Sequence, residues 1–221
     1  MNKPYYLFLL LLLGTSAFSV EEIKPGILKG YLSEEEKVNS LTLVAPVAEK
    51  GSALYALDRA VSKKSLALRD TLRWQMAKAD AELYFPGAAQ VFSCALGMAV
   101  TEKDTPHLYL LLRRSMADAG YSTYKAKNHY QRARPFMVNH KPVCTPEEEA
   151  MLRGDGSYPS GHSAIGWAWA LILSEVAPEK ADAILYRGRA YSQSRVVCNV
   201  HWQSDINEGR MMGAAIVPLL H

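Results

Sequence analysis

Residues 162–176 read HSAIGWAWALILSEV, an apolar run of helical length that ends two residues before Pro178. A run this apolar predicts a helix that is buried in the core of the domain. Convincing two-residue alternation is scarce elsewhere, and LTLV at residues 41–44 is too brief to build a sheet. The sequence therefore predicts an all-α fold, a compact helical bundle in a single domain.

Helix-start signals recur along the rest of the chain. They are Ser33 with Glu36, Ser52, Thr105 before Pro106, and Thr145 with Glu148 around Pro146. Apolar periodicity predicts one long helical stretch over residues 53–83 and a helix from Pro106 towards Lys127. We expect two further helices, one that starts near Glu179 and a last one over residues 205–220.

Composition limits the class of protein. The chain has 221 residues, of which 49% are apolar and 21% are charged, as in an ordinary globular domain. The formal net charge is only +3 and both signs are interspersed, so no nucleic-acid partner is expected.

The amino terminus has the order of a secretory signal. An apolar run over residues 5–13 is too short to span a bilayer comfortably, and Ala17 and Ser19 stand at the −3 and −1 positions of a cleavage site. We expect a cleaved signal peptide over residues 1–19 and an exported domain over residues 20–221, without stable membrane insertion. The alternative is an uncleaved membrane anchor.

Three cysteines remain in the exported domain: Cys94, Cys144 and Cys198. An exported compartment permits a disulfide, but an odd count leaves one thiol over and the sequence does not select the pair. Their spacings match no zinc ligand set, so all three are interpreted as structural.

Three polar segments are suited to one shared anion. In SYPSGH, the turn at residues 159–161 leads into a helix near His162, whose free N–H groups and dipole suit a phosphate. Ser160 adds a hydroxyl donor, and Gly161 allows a close approach to the backbone.

In KNHYQRARP, Lys127 and Arg134 are seven residues apart, so a continuing helix would place both on nearly one face, about 10 Å apart along the axis. Pro135 requires that helix to end by Arg134. Taken alone, the segment is typical of a basic helix end that includes His129 and Arg132.

In SRVVCNVHWQSD, His201 and Asp205 are four residues apart, or one helical turn. The carboxylate could hold one imidazole nitrogen and leave the other free as a nucleophile. On an unbroken helix Arg195 would point about 120° away from His201. We therefore expect the helix to break near CNV, residues 198–200.

Together the segments supply permanent cations, donors at a helix start, and two histidines, of which one has an orienting carboxylate. Phosphoryl transfer without a metal needs this set, because the equatorial oxygens require compensating charge and the reaction requires a nucleophile and a general acid. No metal-ligand cluster is visible, so no cofactor is expected.

The combined pattern resembles a known signature. Lys127-x6-Arg134-Pro135, Pro159-Ser160-Gly161-His162 and Ser194-Arg195-x5-His201-x3-Asp205 are similar to the three-part motif of the type 2 phosphatidic acid phosphatase superfamily. The flanking stretches VTEKD, GSYPSGH and HWQSD narrow the resemblance to the secreted class A bacterial non-specific acid phosphatases.

The resemblance implies a periplasmic enzyme that hydrolyses phosphomonoesters through a phosphohistidine. His201 would be the nucleophile, Asp205 its orienting partner, and His162 the acid and then the base. The phosphate would be held by Lys127, Arg134, Ser160, Gly161 and Arg195. Nucleotides, sugar phosphates and aryl phosphates all fit as substrates. Activity on pyrophosphate bonds and a homo-oligomeric state stay open.

Three other classes compete with this interpretation. Vanadium haloperoxidases share the pattern but are usually much larger chains. Membrane lipid phosphatases share it too, but need several spanning helices. An exported phosphate-binding module would explain the cations, yet it needs neither the pair of His201 and Asp205 nor a second histidine at position 162.

Overall fold

The structure is a computed structural model that describes residues 20–221; the predicted signal peptide, residues 1–19, lies outside the described residues. The α-helices are α1 Ser40–Leu43, α2 Ala53–Ser65, α3 Leu72–Ala79, α4 Ser93–Leu96, α5 Pro106–Ser122, α6 Tyr124–Tyr130, α7 Pro135–Asn139, α8 Glu149–Arg153, α9 Gly161–Val176, α10 Ala181–Val197 and α11 Gln203–Ile216. Short 3₁₀ helices are Leu66–Leu68, Gly87–Phe92, Pro146–Glu148, Pro178–Lys180 and Val217–Leu220. A two-stranded antiparallel hairpin pairs β1 Glu22–Lys24 with β2 Ile27–Leu28. The predicted all-α fold is confirmed.

The apolar helix α9 is the centre of the bundle, and α5, α10 and α11 pack around it. Trp169 is completely buried, and its indole N–H donates to the carbonyl of Leu112, which ties α9 to α5. Glycines allow the neighbouring helices to come close: a Cβ at Gly166 would collide with the ring of Tyr191, and one at Gly213 with the carbonyl of Ala164. Among residues 20–221 no helix is both long and apolar enough to cross a membrane.

Two long helices that the sequence predicted as continuous are each divided in the structure. The stretch over residues 53–83 divides into α2 and α3, because Asp70 adopts a left-handed φ of 62° and Thr71 starts a new helix by accepting from the N–H of Trp74. The helix from Pro106 ends at Ser122 rather than near Lys127, which lies in the separate helix α6.

The predicted capping boxes also differ from the structure. Glu36 accepts from the N–H of Ser33 at 2.8 Å, but the chain then forms a turn and no helix follows directly. Thr145 makes no side-chain cap, although Pro146 opens a 3₁₀ turn that leads into α8. Ser52 does cap α2, since its hydroxyl accepts from the N–H of Tyr55.

The predicted break near residues 198–200 is confirmed. Helix α10 ends at Val197, Asn199 has a left-handed φ of 63°, and α11 begins at Gln203. A disulfide joins Cys198 to Cys144, across a sequence separation of 54, while Cys94 is an exposed free thiol. The disulfide fixes the turn between α10 and α11 to the loop that precedes α8.

Candidate active site

Hydrogen bonds to backbone carbonyls bring the three polar segments together. The N–H of Ser160, before α9, donates to the carbonyl of Asp205 in α11 at 3.0 Å. The guanidinium of Arg134 donates to the carbonyl of Val200 at 3.0 Å, and the N–H of His201 to the carbonyl of Arg195 at 3.3 Å. The start of α9, the loop before α7 and the turn after α10 therefore meet at one place, as the sequence predicted.

Lys127 and Arg134 do meet, but not on one helix. Helix α6 ends at Tyr130, and Arg134 lies in the extended segment that precedes α7. The Nζ of Lys127 donates to the carbonyl of Gly156 at 2.7 Å and lies 3.5 Å from the carboxylate of Asp155, which also pairs with Arg134 at 2.9 Å. Burial, followed by the charge of Arg134, lowers the pKa of Lys127 to about 8.

Arg195 is a buried cation with unsatisfied hydrogen-bond donors. Its side chain is 0% exposed, and within residues 20–221 its Nε and Nη1 atoms have no hydrogen-bond partner. No carboxylate of the described chain lies within 4.0 Å of it. A buried unpaired charge is costly, so these donors are suited to an anion that enters from outside the protein.

The proton on His201 can be assigned from its contacts. Its Nε2 lies 3.1 Å from Nη1 of Arg134, and a guanidinium only donates, so Nε2 is the bare nitrogen. The proton is therefore on Nδ1, which lies 3.4 Å from the Oδ2 of Asp205. Burial, followed by the positive charge of Arg134, lowers the pKa of His201 well below its ordinary value. The ring is thus a neutral base whose lone pair faces the cations.

Asp205 is held differently from the prediction that it shares a helical turn with His201. It is the third residue of α11, whereas His201 lies in the loop before that helix. Its Oδ2 accepts from the N–H of Trp202 at 2.8 Å, and its Oδ1 accepts from Arg132 at 2.5 Å. Burial raises the pKa of Asp205 to about 6, against the opposing effect of Arg132.

His162 lies at the start of α9, and its Nε2 is 3.0 Å from the carbonyl of Ala81. A carbonyl only accepts, so Nε2 carries a proton and Nδ1 is the atom that can take up or release one. The ring stacks on Tyr191 with centroids 6.5 Å apart. Burial, followed by the charge of Arg195, lowers the pKa of His162 well below its ordinary value.

The start of α9 has a hydroxyl proton and a glycine that the protein itself does not use. The hydroxyl of Ser160 accepts from the N–H of Ser163 at 3.2 Å and keeps its own proton for donation. A Cβ on Gly161 would meet only Thr123 and the carbonyl of Gly120, both at ordinary contact distances of 3.7 and 3.9 Å. Packing within the protein therefore does not require glycine at position 161, whereas close approach of an anion to the backbone does.

Sequence reasoning missed three residues of this region. Arg132 was interpreted only as part of a basic helix end, yet it binds Asp205. Asp155 pairs with both Lys127 and Arg134. Asp58, on α2, binds Arg132 at 2.7 Å. Only Arg132 carried a signal, namely its position two residues before Arg134.

Within residues 20–221, no group of three or more His, Cys, Asp or Glu side chains is placed to hold a metal ion.

Comparison with known proteins places this geometry in a family. Residues 108–221 match the model of the PAP2 superfamily. The chain belongs to the PAP2 superfamily. Residues 108–221 contain all of the site residues described above except Asp58 and Ala81.

Curated relatives give a narrower assignment. A non-specific acid phosphatase of Providencia stuartii is 44% identical over 192 residues, which cover 86% of this chain and 77% of that protein. A non-specific acid phosphatase of Salmonella typhimurium is 38% identical over 215 residues, which cover 97% of this chain and 84% of that protein. Within the PAP2 superfamily the chain is a class A acid phosphatase, as the sequence motifs predicted.

Two solved structures share the fold at low identity. A transmembrane PAP2-type phosphatidylglycerolphosphate phosphatase from Bacillus subtilis has a TM-score of 0.53 and 20% identity, with 82% of this chain and 90% of that chain covered. A bacterial vanadium-dependent iodoperoxidase has a TM-score of 0.53 and 21% identity, with 80% and 52% covered. These two likenesses concern the fold alone.

Proposed function

We propose that this phosphatase is a secreted, metal-independent hydrolase of phosphomonoesters that works through a phosphohistidine on Nε2 of His201. The observation that carries the proposal is Arg195, a completely buried cation whose Nε and Nη1 donors have no hydrogen-bond partner within residues 20–221. A phosphoryl group would supply the missing anion. Lys127 and Arg134 add two further positive charges beside the same histidine.

In the first step the lone pair on Nε2 of His201 attacks phosphorus, and the bond from phosphorus to the leaving oxygen breaks with its electrons on oxygen. His162 gives a proton from Nδ1 to that oxygen, so the product leaves as a neutral alcohol. The three cations compensate the charge on the equatorial oxygens, and the N–H of Gly161 with the hydroxyl of Ser160 adds donors.

In the second step a water attacks the phosphorus of the phosphohistidine, and Nδ1 of His162 takes the proton of that water. The phosphorus–nitrogen bond breaks with its electrons on Nε2 of His201, and phosphate leaves. His162 thus ends the cycle protonated, as it began. Throughout, Nδ1 of His201 keeps its proton towards Asp205, 3.4 Å away.

His162 must carry an extra proton to act as an acid, although burial and the charge of Arg195 lower its pKa. A bound phosphate dianion offsets the charge of Arg195 and raises that pKa again. Binding of the substrate therefore charges the acid that the first step needs.

Broad specificity is part of the proposal, because the proposed contacts all go to the phosphoryl group and the nucleophile rather than to the alcohol. Nucleotides, sugar phosphates and aryl phosphates would then all be substrates. Export to the periplasm is supported by the signal-like order of residues 1–19 and by the disulfide between Cys144 and Cys198, since disulfides persist in oxidising compartments.

The proposal is tested by phosphate release from p-nitrophenyl phosphate at pH 6 in excess EDTA, with the wild-type chain and the His201→Ala variant. We expect turnover by the wild type and a loss of several orders of magnitude in the variant, which should still bind phosphate. Absence of turnover by folded wild-type protein in EDTA would overturn the metal-independent mechanism. Full activity of His201→Ala would overturn the phosphohistidine.

A further inference from the structure

We propose that Asp58 and Arg132 are positioning residues that hold the Asp205 carboxylate for His201, in a relay that begins on helix α2. The inference rests on the proposed function, because it assigns a role in forming the phosphohistidine. Neither Asp58 nor Arg132 contacts the reacting atoms in this assignment.

Asp58 is the buried starting point of the relay. Its side chain is 1% exposed, yet it lies on α2, a helix that contributes none of the predicted site residues. Its Oδ1 accepts from the N–H of Ser204 at 2.8 Å, and its Oδ2 accepts from the hydroxyl of Ser204 at 2.6 Å and from Nη2 of Arg132 at 2.7 Å. A carboxylate buried with this number of donors has one fixed orientation.

Arg132 connects Asp58 to Asp205. One arm of its guanidinium binds Asp58, and the other, Nη1, donates to Oδ1 of Asp205 at 2.5 Å and to the hydroxyl of Ser204 at 2.7 Å. The guanidinium also lies over the ring of Trp202, 5.5 Å from its centroid. A planar fork can bridge two carboxylates in this way, whereas a lysine cannot.

The two oxygens of Asp205 are thereby divided between two tasks. Arg132 binds Oδ1, while Oδ2 accepts from the N–H of Trp202 at 2.8 Å and lies 3.4 Å from Nδ1 of His201, an electrostatic contact rather than a hydrogen bond. If Arg132 were released, the carboxylate could rotate and Oδ2 would lose its fixed direction towards the histidine.

The negative charge of Asp58, the second carboxylate of the relay, also affects the reaction. When both carboxylates are ionised, the one guanidinium that Asp58 and Asp205 share leaves the buried cluster with a net charge of −1. When phosphorus bonds to Nε2 of His201 while Nδ1 keeps its proton, the imidazole gains positive charge, and the cluster compensates it. With Arg132 and Asp205 alone the cluster would be neutral, and in a buried site that difference acts strongly.

The test compares Asp58→Asn with Asp118→Asn in the full chain. Asp118 is also a completely buried carboxylate on a helix, and it accepts from the N–H groups of Tyr31 and Leu32 rather than from the relay. Steady-state kinetics with p-nitrophenyl phosphate and inhibition by inorganic phosphate are measured, together with the urea midpoint of each variant.

We expect Asp58→Asn to lower kcat by about 10- to 100-fold, with KM and phosphate inhibition nearly unchanged. Asp118→Asn should keep its kcat even where it shifts the urea midpoint. Rapid-quench measurement should show slower formation of the phosphoenzyme in Asp58→Asn. An unchanged kcat in folded Asp58→Asn would overturn the relay.

A double-mutant cycle is a second test of whether Asp58 and Arg132 act together. If Asp58 and Arg132 act through one relay, the combined Asp58→Asn and Arg132→Gln variant should lose no more kcat than Arg132→Gln alone. Additive losses would overturn the relay. Should Asp58→Asn fail to fold, the Arg132→Lys variant is the test, because lysine keeps the charge but cannot bridge both carboxylates. A lower kcat at unchanged KM in that variant would support the relay, and an unchanged kcat would overturn it.

Failure of the relay and failure of the proposed function are distinguishable. If the proposed function fails, the wild type is inactive in EDTA or His201→Ala stays active. If only the relay fails, both of those behave as expected while Asp58→Asn retains wild-type kcat.

Discussion

Nη1 of Arg134 donates to Nε2 of His201 at 3.1 Å, so one of the proposed phosphate-binding cations lies against the lone pair of the proposed nucleophile. The contact fixes the tautomer and keeps the ring neutral. A phosphate oxygen that binds Arg134 would compete with His201 for the same N–H, so arrival of the substrate would free the nucleophile. Asp155, which pairs with the other arm of Arg134, prevents that guanidinium from moving far.

Removal of the Arg195 charge should stabilise the protein and weaken its binding of phosphate. In phosphate-free buffer, Arg195→Met should raise the free energy of unfolding by at least about 1 kcal/mol, because it removes a buried guanidinium whose Nε and Nη1 have no hydrogen-bond partner among residues 20–221. The same change should weaken inhibition by phosphate about 10- to 100-fold, the effect of losing charged hydrogen bonds. Urea unfolding and phosphate inhibition measure the two effects.

Arg187 on the same helix is the matched control. It pairs with Asp80, so Arg187→Met leaves a buried carboxylate without its cation, with only the hydroxyl of Ser194 among residues 20–221 still donating to it, and should destabilise the protein. A variant Arg195→Met that is less stable than the wild type without phosphate would contradict the interpretation of Arg195 as an unsatisfied anion ligand.

Binding of an anion should be coupled to uptake of protons. Burial and neighbouring cations hold the pKa values of His162 and His201 below their ordinary range, and a bound dianion raises both. Sulfate is suited as the probe because it stays a dianion between pH 5 and pH 8. We expect its affinity to rise as the pH falls from about 7.5 to about 5, because the protonated rings favour the complex.

Calorimetry in buffers of different ionisation enthalpy counts the protons taken up with sulfate at pH 6. The variant His162→Gln should take up fewer protons, while the remainder comes from His201 and from Asp205, whose pKa is raised to about 6. Equal affinity at all pH values, with no proton uptake, would argue against His162 as an acid that the substrate charges.

The fold was largely predictable because its determinants are local. The apolar run at residues 162–176 identified the central helix α9, and the need to turn Arg195 towards His201 predicted the break at residues 198–200. The division of residues 53–83 was not predictable from apolar spacing, because it depends on the left-handed backbone of Asp70.

That the three polar segments meet was predictable, because the proposed chemistry requires certain residue types at fixed spacings. Such spacing selected the three cations, both histidines and Asp205 as candidates, but it carried no information about Asp58, which lies 146 residues before its partner Ser204. A contact of that range depends on how α2 packs against α11, which no local pattern encodes. The tautomers likewise required the contacts of His162 with Ala81 and of His201 with Arg134.

The disulfide between Cys144 and Cys198 should stabilise the fold by roughly 4 kcal/mol, from the loop entropy of a separation of 54 residues. Because Cys198 lies between Arg195 and His201, its loss should also lower kcat. The double variant Cys144→Ala, Cys198→Ala measures both effects, and Cys94→Ala is the control, since Cys94 is a free exposed thiol. A double variant with wild-type stability would contradict this prediction.

Gly161 offers a test of the helix start that separates binding from packing. A Cβ there meets nothing closer than Thr123 Oγ1 at 3.7 Å, so Gly161→Ala should change the free energy of unfolding by no more than about 1 kcal/mol. An anion held against the same backbone would be displaced, and kcat/KM should fall at least about tenfold. Gly213→Ala is the contrasting variant, because its Cβ would lie 2.4 Å from the carbonyl of Ala164 and should destabilise the protein by about 1 to 3 kcal/mol. Gly161→Ala with unchanged kcat/KM would show that the phosphoryl group does not approach the start of α9.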